Sequence, residues 1–252
     1  MSYRKQRNLV YAERKGVSSP KCNLKGKRSC KTGPRAEPKR IVSYKGELIP
    51  ASARKTAINF VREFRKCGIK YVLAGAFPVQ FYGRERYSRD VDIVVSIDEK
   101  GAENLFKLLK SSKYALVYSL EYEHRISSAM DLLDLRLIKV RDMETRSLVD
   151  IILRPSEVGF DFDSESEERV RIVALNGEEV PIPSPEDYII MKLKSRRPST
   201  HDFEDIISTL STQFNVLDWS YLGRRAEEEN LTSLLNHYKE SVERKMKRGE
   251  PH

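Results

Sequence analysis

The amino-acid sequence predicts a fold of the α/β (α+β) class, in which a mixed β-sheet core with flanking helices precedes a helical C-terminal module. Two observations favour this class. Between residues 45 and 184, short apolar runs typical of strands alternate with segments whose apolar residues recur at helical spacing. From Pro185 onward the spacing is helical throughout. The 252 residues suffice for one sizeable domain or two small ones.

The positive charge of the chain lies in its first 40 residues. They hold 13 Lys and Arg against two Glu, a net charge of +11, which leaves −2 for the rest of a chain whose total is +9. We therefore expect three parts: a basic, extended or disordered arm over 1–44, a core over 45–184 and the helical module over 185–252.

A basic arm of this kind engages polyanions or serves as a solubilising or localising tail. Both alternatives stay open from the sequence. The polyanion that we expect is RNA, either tRNA or the ribosome. The side chains predicted to bind nucleic acid are Arg4, Lys5, Arg7, Arg14, Lys15, Lys25, Lys27 and Arg28.

The cysteine count and the hydropathy pattern indicate a soluble, cytoplasmic protein. Three cysteines do not form a disulfide framework. Cys22 and Cys30 are not expected to bind zinc, because a structural zinc needs four ligands and the arm offers neither a histidine nor a third cysteine. No apolar run approaches membrane-spanning length, so we expect no membrane partner.

The central stretch, residues 71–95, predicts strand, turn, helix, turn and strand in that order. An apolar run over 71–73 ends at a small-residue turn, Gly75-Ala76, and 77–82 has helical spacing. A second apolar run over 90–95 contains two aspartates. A small-residue turn followed by a helix N-terminus favours the binding of phosphate.

Asp90 and Asp92 are two residues apart in the predicted strand, so their side chains share one face while Val91 and Ile93 face the core. Neighbouring carboxylates repel each other unless a cation lies between them. Mg²⁺ is a hard cation that binds carboxylate and phosphate oxygens together. Carboxylates beside a phosphate site predict chemistry on a nucleoside triphosphate.

This arrangement resembles the DNA-polymerase-β-type nucleotidyltransferase superfamily, in which Gly and a small residue precede Asp-x-Asp on the next strand. The run Arg86-Tyr87-Ser88-Arg89-Asp90-Val91-Asp92 is similar to the Arg-x-Thr/Ser-x-Asp-x-Asp of the AbiEii-like, or minimal, branch. The resemblance implies transfer of a nucleoside monophosphate from an NTP to a hydroxyl, with two Mg²⁺ ions. It covers approximately residues 71–235 and excludes the arm.

The resemblance also implies a third metal-binding carboxylate on a later strand. Asp150 is the candidate, because it interrupts the apolar run 148–153 and a lone buried carboxylate is costly. Asp134 is the rival, although Arg136 on the same face offers it a simple ion pair. Asp90, Asp92 and Asp150 are thus the expected catalytic and metal-binding residues.

The nucleotide is expected to bind at Gly75, Ala76, Arg86 and Ser88. A second block, Lys192 to Asp205, is similar to a family block in which a Lys precedes Arg-Pro and Asp-x-x-Asp, and there the resemblance implies contact between Lys192 and the triphosphate. The alternative is a helix surface on which Lys192 meets water, Asp202 or Asp205.

The other elements follow from spacing and turn residues. Predicted in the core are a helix over 50–67 ended by Gly68, a helix over Asp98–Ser111, a strand over Tyr114–Leu120, a hairpin of Leu132–Val140 with Leu148–Leu153, a loop over Asp161–Arg169, and a hairpin over Arg171–Pro183 that turns at Asn176-Gly177. Ser184 and Pro185 predict a helix start. Helices are predicted over Asp187–Arg196, His201–Leu210, Asp218–Glu229 and Leu231–Arg248.

Two functions remain from this sequence. The first is a Mg²⁺-dependent nucleotidyltransferase acting on RNA, which the resemblance extends to a toxin-type enzyme with an antitoxin partner. The second is a nucleotidyltransferase-fold factor that binds RNA or the ribosome through the arm, with little or no catalysis. A kinase-like hydrolase is disfavoured because the sequence has no G-x-x-x-x-G-K-[ST] loop.

Overall fold

The computed structural model describes residues 42–43, 48–118, 126–154, 162–195 and 199–248. They form an α+β fold around a mixed five-stranded sheet, which confirms the predicted class. The strands are β1 Val42–Ser43, β2 Lys70–Leu73, β3 Val91–Ser96, β4 Tyr114–Tyr118, β5 Leu137–Asp142, β6 Leu148–Ile152, β7 Arg171–Leu175 and β8 Glu178–Ile182. The helices are α1 Ala51–Cys67, α2 Ala76–Tyr82, α3 Glu99–Leu109, α4 Asp131–Asp134, α5 Ser164–Arg169, α6 Pro185–Leu193, α7 Thr200–Gln213, α8 Trp219–Glu228 and α9 Thr232–Lys247.

The large sheet has the strand order β2-β3-β6-β5-β4. The pairing of β3 with β6 is parallel, whereas the pairs β2·β3, β6·β5 and β5·β4 are antiparallel. A small second sheet has the order β1-β7-β8, and its β7·β8 hairpin turns at Asn176-Gly177 as predicted. The strand β3 therefore lies inside the large sheet.

Strand β3 is covered on both faces, because each face of the sheet carries its own hydrophobic core. Val91, Ile93 and Val95 belong to a core that includes buried residues of α1 and α3. Val94 belongs to a second core built with the C-terminal helices α6 to α9. Asp92 precedes Val94 by two residues, so its side chain lies on the face that the C-terminal helices cover.

Side chains at the helix ends explain where several helices begin and end. Gly68 terminates α1 in the left-handed conformation, with φ of 65°. The hydroxyl of Ser184 accepts a hydrogen bond from the Asp187 amide ahead of Pro185. Ser199 and Asp202 form a reciprocal capping box at the start of α7. The ends predicted at Gly68 and Ser184 are confirmed.

Three boundary predictions are wrong. The predicted strand Leu132–Val140 begins only at Leu137, because the residues before it form α4, where the Asp131 carboxylate accepts the Ser128 amide. The predicted loop Asp161–Arg169 contains α5, whose start is capped by the Asp163 carboxylate. The second central strand begins at Val91, one residue after Asp90. In the first two cases a side-chain hydrogen bond to the backbone stabilises a short helix that apolar spacing does not indicate.

No helix within the described ranges is long and apolar enough to cross a membrane. The eight arm cations expected to bind nucleic acid, together with Cys22 and Cys30, lie outside the described residues, as does the end of the strand predicted to reach Leu120. The arm stays a prediction from the sequence.

Candidate active site

The turn after β2 brings the backbone against a carboxylate. The Ala74 amide donates to the carbonyl of Asp92 at 2.8 Å, and Gly75 has φ of 59°. A Cβ atom placed on Gly75 would lie 1.8 Å from Oδ2 of Asp92, so no larger residue fits without movement of one of the two. Gly75 is partly exposed, whereas Ala76 is fully buried, so of the two residues Gly75 has the accessible surface.

Asp92 and Asp150 lie side by side on one face of the sheet. They are register partners in the parallel pair β3·β6. Neighbouring strands lie about 4.8 Å apart, and paired residues project to the same face. The register therefore sets the side chain of Asp150 on the same face of the sheet as that of Asp92. The Nζ atom of Lys139 on β5 lies 2.6 Å from Oδ1 of Asp150.

Asp90 is near enough to Asp92 for its charge to raise the pKa of Asp92. It is exposed, immediately precedes β3, and its carbonyl accepts a hydrogen bond from the Ser88 hydroxyl at 3.2 Å. Among the residues that the structure describes, no three His, Cys, Asp or Glu side chains come close enough together to hold a metal ion. Of the three predicted acids, Asp92 and Asp150 are thus register partners in the sheet, and Asp90 lies just outside the sheet, one residue before β3.

The pKa of Asp92 is raised from its ordinary value of 3.8 to about 6. Burial is the main cause, because it disfavours the charged carboxylate, and the negative charge of Asp150 adds to the effect. Lys192 and Arg86 act in the opposite direction. Both cations are therefore near enough to Asp92 to influence its charge.

Asp205, on α7, ties these cations together. Its side chain has no exposed surface, and its two oxygens accept hydrogen bonds from Arg84 Nε and Arg86 Nη1, each at 3.0 Å. Nζ of Lys192 lies 3.1 Å from the second oxygen. Three cations thus converge on one buried carboxylate beside the site.

Tyr188 on α6 links this cluster to the turn. Its hydroxyl lies 3.0 Å from the carbonyl of Gly75 and 3.2 Å from Oδ2 of Asp205. Lys192 also contacts Asp202 at 2.7 Å. Lys192 therefore contacts Asp202 and Asp205, which is the alternative considered from the sequence. It is also near enough to Asp92 to lower the pKa of that residue.

A family model described as "Nucleotidyltransferase of unknown function (DUF6036)" matches residues 70–248, which include every site residue placed above. The chain belongs to this nucleotidyltransferase family. The match agrees with the superfamily predicted from Asp-x-Asp, whereas the AbiEii-like branch stays a prediction. No curated protein matches the chain significantly.

Solved structures of nucleotidyltransferase-like proteins resemble the chain at low identity. An antigenic nucleotidyltransferase-like protein from Paracoccidioides brasiliensis is 20% identical over 74% of this chain and 93% of its own, with a TM-score of 0.42. The lincomycin-bound lincosamide antibiotic adenylyltransferase LnuA is 15% identical over 63% of this chain and 97% of its own, with a TM-score of 0.41. Such values support no inference about substrate or residue roles.

The donor atoms of this nucleotidyltransferase site fit a hard divalent cation. Asp90, Asp92 and Asp150 offer carboxylate oxygens, the ligands that Mg²⁺ prefers. Oδ1 of Asp150 is buried, and the ammonium of Lys139 lies 2.6 Å from it. A buried carboxylate oxygen of this kind is stabilised by a cation.

Sequence reasoning missed three residues of the nucleotidyltransferase site: Arg84, Lys139 and Tyr188. Lys139 had a partial signal, because the predicted hairpin joins its strand to that of Asp150, and the observed register sets the two residues opposite each other. Arg84 and Tyr188 had none, since their partners lie on elements far away in the chain. The rival acid Asp134 is an exposed residue of α4, and it pairs with Arg154 at 3.3 Å.

Replacement of Gly75 by Ala is expected to destabilise the protein far more than replacement of Gly68. Both glycines have positive φ, but only a Cβ on Gly75 meets Asp92, whereas none lies within 4 Å at Gly68. Gly68→Ala should lower the free energy of unfolding by about 1 kcal/mol, and Gly75→Ala by more than about 2 kcal/mol. Urea denaturation measures both, and equal losses would contradict the close approach.

The raised pKa of Asp92 predicts a pH-dependent stability. Because the folded state holds this proton more tightly than the unfolded chain, the free energy of unfolding falls as pH rises from about 4 to about 6 and then levels off. The loss corresponds to at most about 3 kcal/mol. Urea midpoints of the wild type and Asp92→Asn across this range measure it.

The exposed Asp134→Asn serves as the matched control for this titration, and its stability curve should run parallel to that of the wild type. Asp92→Asn should gain stability relative to the wild type as pH rises. Parallel curves for the wild type and Asp92→Asn would contradict the assignment of the raised pKa to Asp92.

Proposed function

We propose that this family member is a Mg²⁺-dependent nucleotidyltransferase that moves a nucleoside monophosphate from an NTP to a hydroxyl of RNA. The observation that carries the proposal is the register pairing of Asp92 with Asp150 directly beside the Gly75 turn. It sets two carboxylates side by side, and one of them, Asp92, lies against the small-residue turn that the sequence predicts for phosphate.

Mg²⁺ held by Asp90 and Asp92, with Asp150 as the third acid of the site, would supply a Lewis acid at the transferred phosphate. The oxygen of the acceptor hydroxyl forms a bond to the α-phosphorus, and the bond to the departing pyrophosphate breaks. The Asp150 carboxylate accepts the proton of that hydroxyl. The expected number of two ions comes from the family resemblance.

The chain's own cations bind the triphosphate. Arg86 and Lys192 lie near Asp92, the Gly75 turn lies against it, and the Ser88 hydroxyl contacts the carbonyl of Asp90. Positioning and charge neutralisation by such groups provide most of what phosphoryl-group transfer requires of a protein. Asp205 holds Arg86 and Lys192 on the same side of the sheet before a nucleotide binds.

RNA is proposed as the acceptor because of where the charge lies. The first 40 residues carry a net charge of +11, and the rest of the chain is nearly neutral. A polycationic arm has an electrostatic partner in a nucleic-acid backbone, whereas a small acceptor needs none.

A second function is favoured by one observation. Each cation near the site already faces an acid: Arg84 faces Glu204, Arg86 faces Asp205 and Lys192 faces Asp202. A triphosphate has to compete with these acids, which favours a factor that binds RNA through its arm and has little catalysis. Such a factor would bind RNA regardless of NTP and of changes at Asp92.

Substitution of the strand acids tests the enzyme directly. Asp90→Ala and Asp92→Ala should each reduce transfer of label from α-labelled NTP to cellular RNA by more than about 100-fold, because both remove a ligand of the metal. Asp134→Ala, an exposed acid of the same type, should leave transfer unchanged. Each of the four NTPs is tested in turn, and wild-type turnover in both site variants would contradict the proposal.

Deletion of residues 1–40 tests the RNA acceptor. For single-stranded RNA, each neutralised phosphate contributes about 0.7 to the slope of log affinity against log salt. The eight arm cations predicted to bind nucleic acid would therefore account for a slope of about 5 to 6. A variant with these eight residues changed to Gln keeps the arm's length and should lose the same slope. Unchanged salt dependence in both would contradict an RNA-binding arm.

A further inference from the structure

Three residues on neighbouring strands form one row across the face of the sheet. Asp92 on β3 is the register partner of Asp150 on β6, and Asp150 is the register partner of Lys139 on β5. In β5, Ile138 and Val140 are buried, whereas Lys139 between them is partly exposed, so Lys139 faces away from the first core. The row therefore consists of two carboxylates followed by the ammonium group of Lys139.

The ammonium of Lys139 lies as close to Asp150 as a bound metal ion would. Nζ of Lys139 is 2.6 Å from Oδ1 of Asp150, and the two side chains are only 24% and 22% exposed. Divalent cations bind carboxylate oxygens at about 2.0 to 2.6 Å. The same oxygen is buried. The ammonium thus occupies the place at which a cation would bind Asp150.

We propose that the ammonium of Lys139 takes the place of a second divalent ion on Asp150. The site then binds one divalent ion, at Asp90 and Asp92. The inference rests on the proposed function and refines the two ions expected from the sequence. An ammonium ion and a divalent ion on one buried oxygen repel each other strongly. The ion pair with Lys139 also holds the Asp150 carboxylate in place.

The count of bound ions tests the inference independently of activity. The full-length chain is saturated in turn with the α,β-methylene analogues of ATP, GTP, CTP and UTP. It is then titrated with Mn²⁺, and the free ion is measured by electron paramagnetic resonance. The wild type should bind one Mn²⁺ per nucleotide complex, and Lys139→Met should bind two, because the second position is vacated. Lys139→Arg should bind one.

Arg141→Met is the matched control. It removes one positive charge from the same face of the same strand, but its register partner is Leu148 instead of Asp150. It should keep one Mn²⁺. A gain of a second ion in both variants would attribute the effect to net charge and would overturn the role of Lys139.

A second variant keeps the test decisive if Lys139→Met fails to fold. Asp150→Asn should still bind one Mn²⁺, because the ion lies on Asp90 and Asp92. A decrease in Mn²⁺ affinity of more than about 100-fold, beyond the range for residues that only support a ligand, would make Asp150 a ligand of that ion and overturn the inference.

The remaining outcomes separate the inference from the proposed function. Two ions in the wild type would overturn the inference and leave the nucleotidyltransferase proposal intact. One ion in both the wild type and Lys139→Met would also overturn it, because Lys139 would then exclude nothing. No Mn²⁺ bound by the wild type with any of the four analogues would contradict the proposed function itself.

Discussion

The parallel register between β3 and β6 is the constraint on which the candidate site depends. It pairs Asp92 with Asp150 while Val91, Ile93, Val149 and Ile151 fill the opposite face. A slip of one residue would exchange the faces, burying carboxylates in the core and exposing the apolar side chains. The hydrophobic alternation of the two strands therefore fixes the side on which their acids lie, and the core stabilises the site geometry.

A second constraint is electrostatic and joins the C-terminal helices to the sheet. Asp205 has no exposed surface and lies within 3.0 to 3.1 Å of Arg84, Arg86 and Lys192. Removal of one partner from a buried ion pair costs about 3 to 5 kcal/mol, so the cluster resists rearrangement. Arg86 and Lys192 of this cluster also act on Asp92, which couples the packing of α7 to the charge state of the site.

Much of the fold followed from local signals. The cap at Ser184, the αL glycine at Gly68 and the turn at Asn176-Gly177 were predictable because each depends on a few adjacent residues. The errors at α4 and α5 have the same origin, since apolar spacing alone does not detect short helices tied by Asp131 or Asp163. Gly75 and the acids of Asp-x-Asp were identifiable as a set because their spacing is itself a signature.

The sequence by itself determined the fold class, the small-residue turn before Asp-x-Asp and the placement of nearly all net charge in the first 40 residues. The tertiary structure decided which of the later acids joins Asp92, and it chose Asp150 over Asp134. It also decided that Lys139 pairs with that acid and that Asp205 gathers three cations. These contacts depend on strand register and helix docking between distant segments, and neither leaves a trace in the spacing of neighbouring residues.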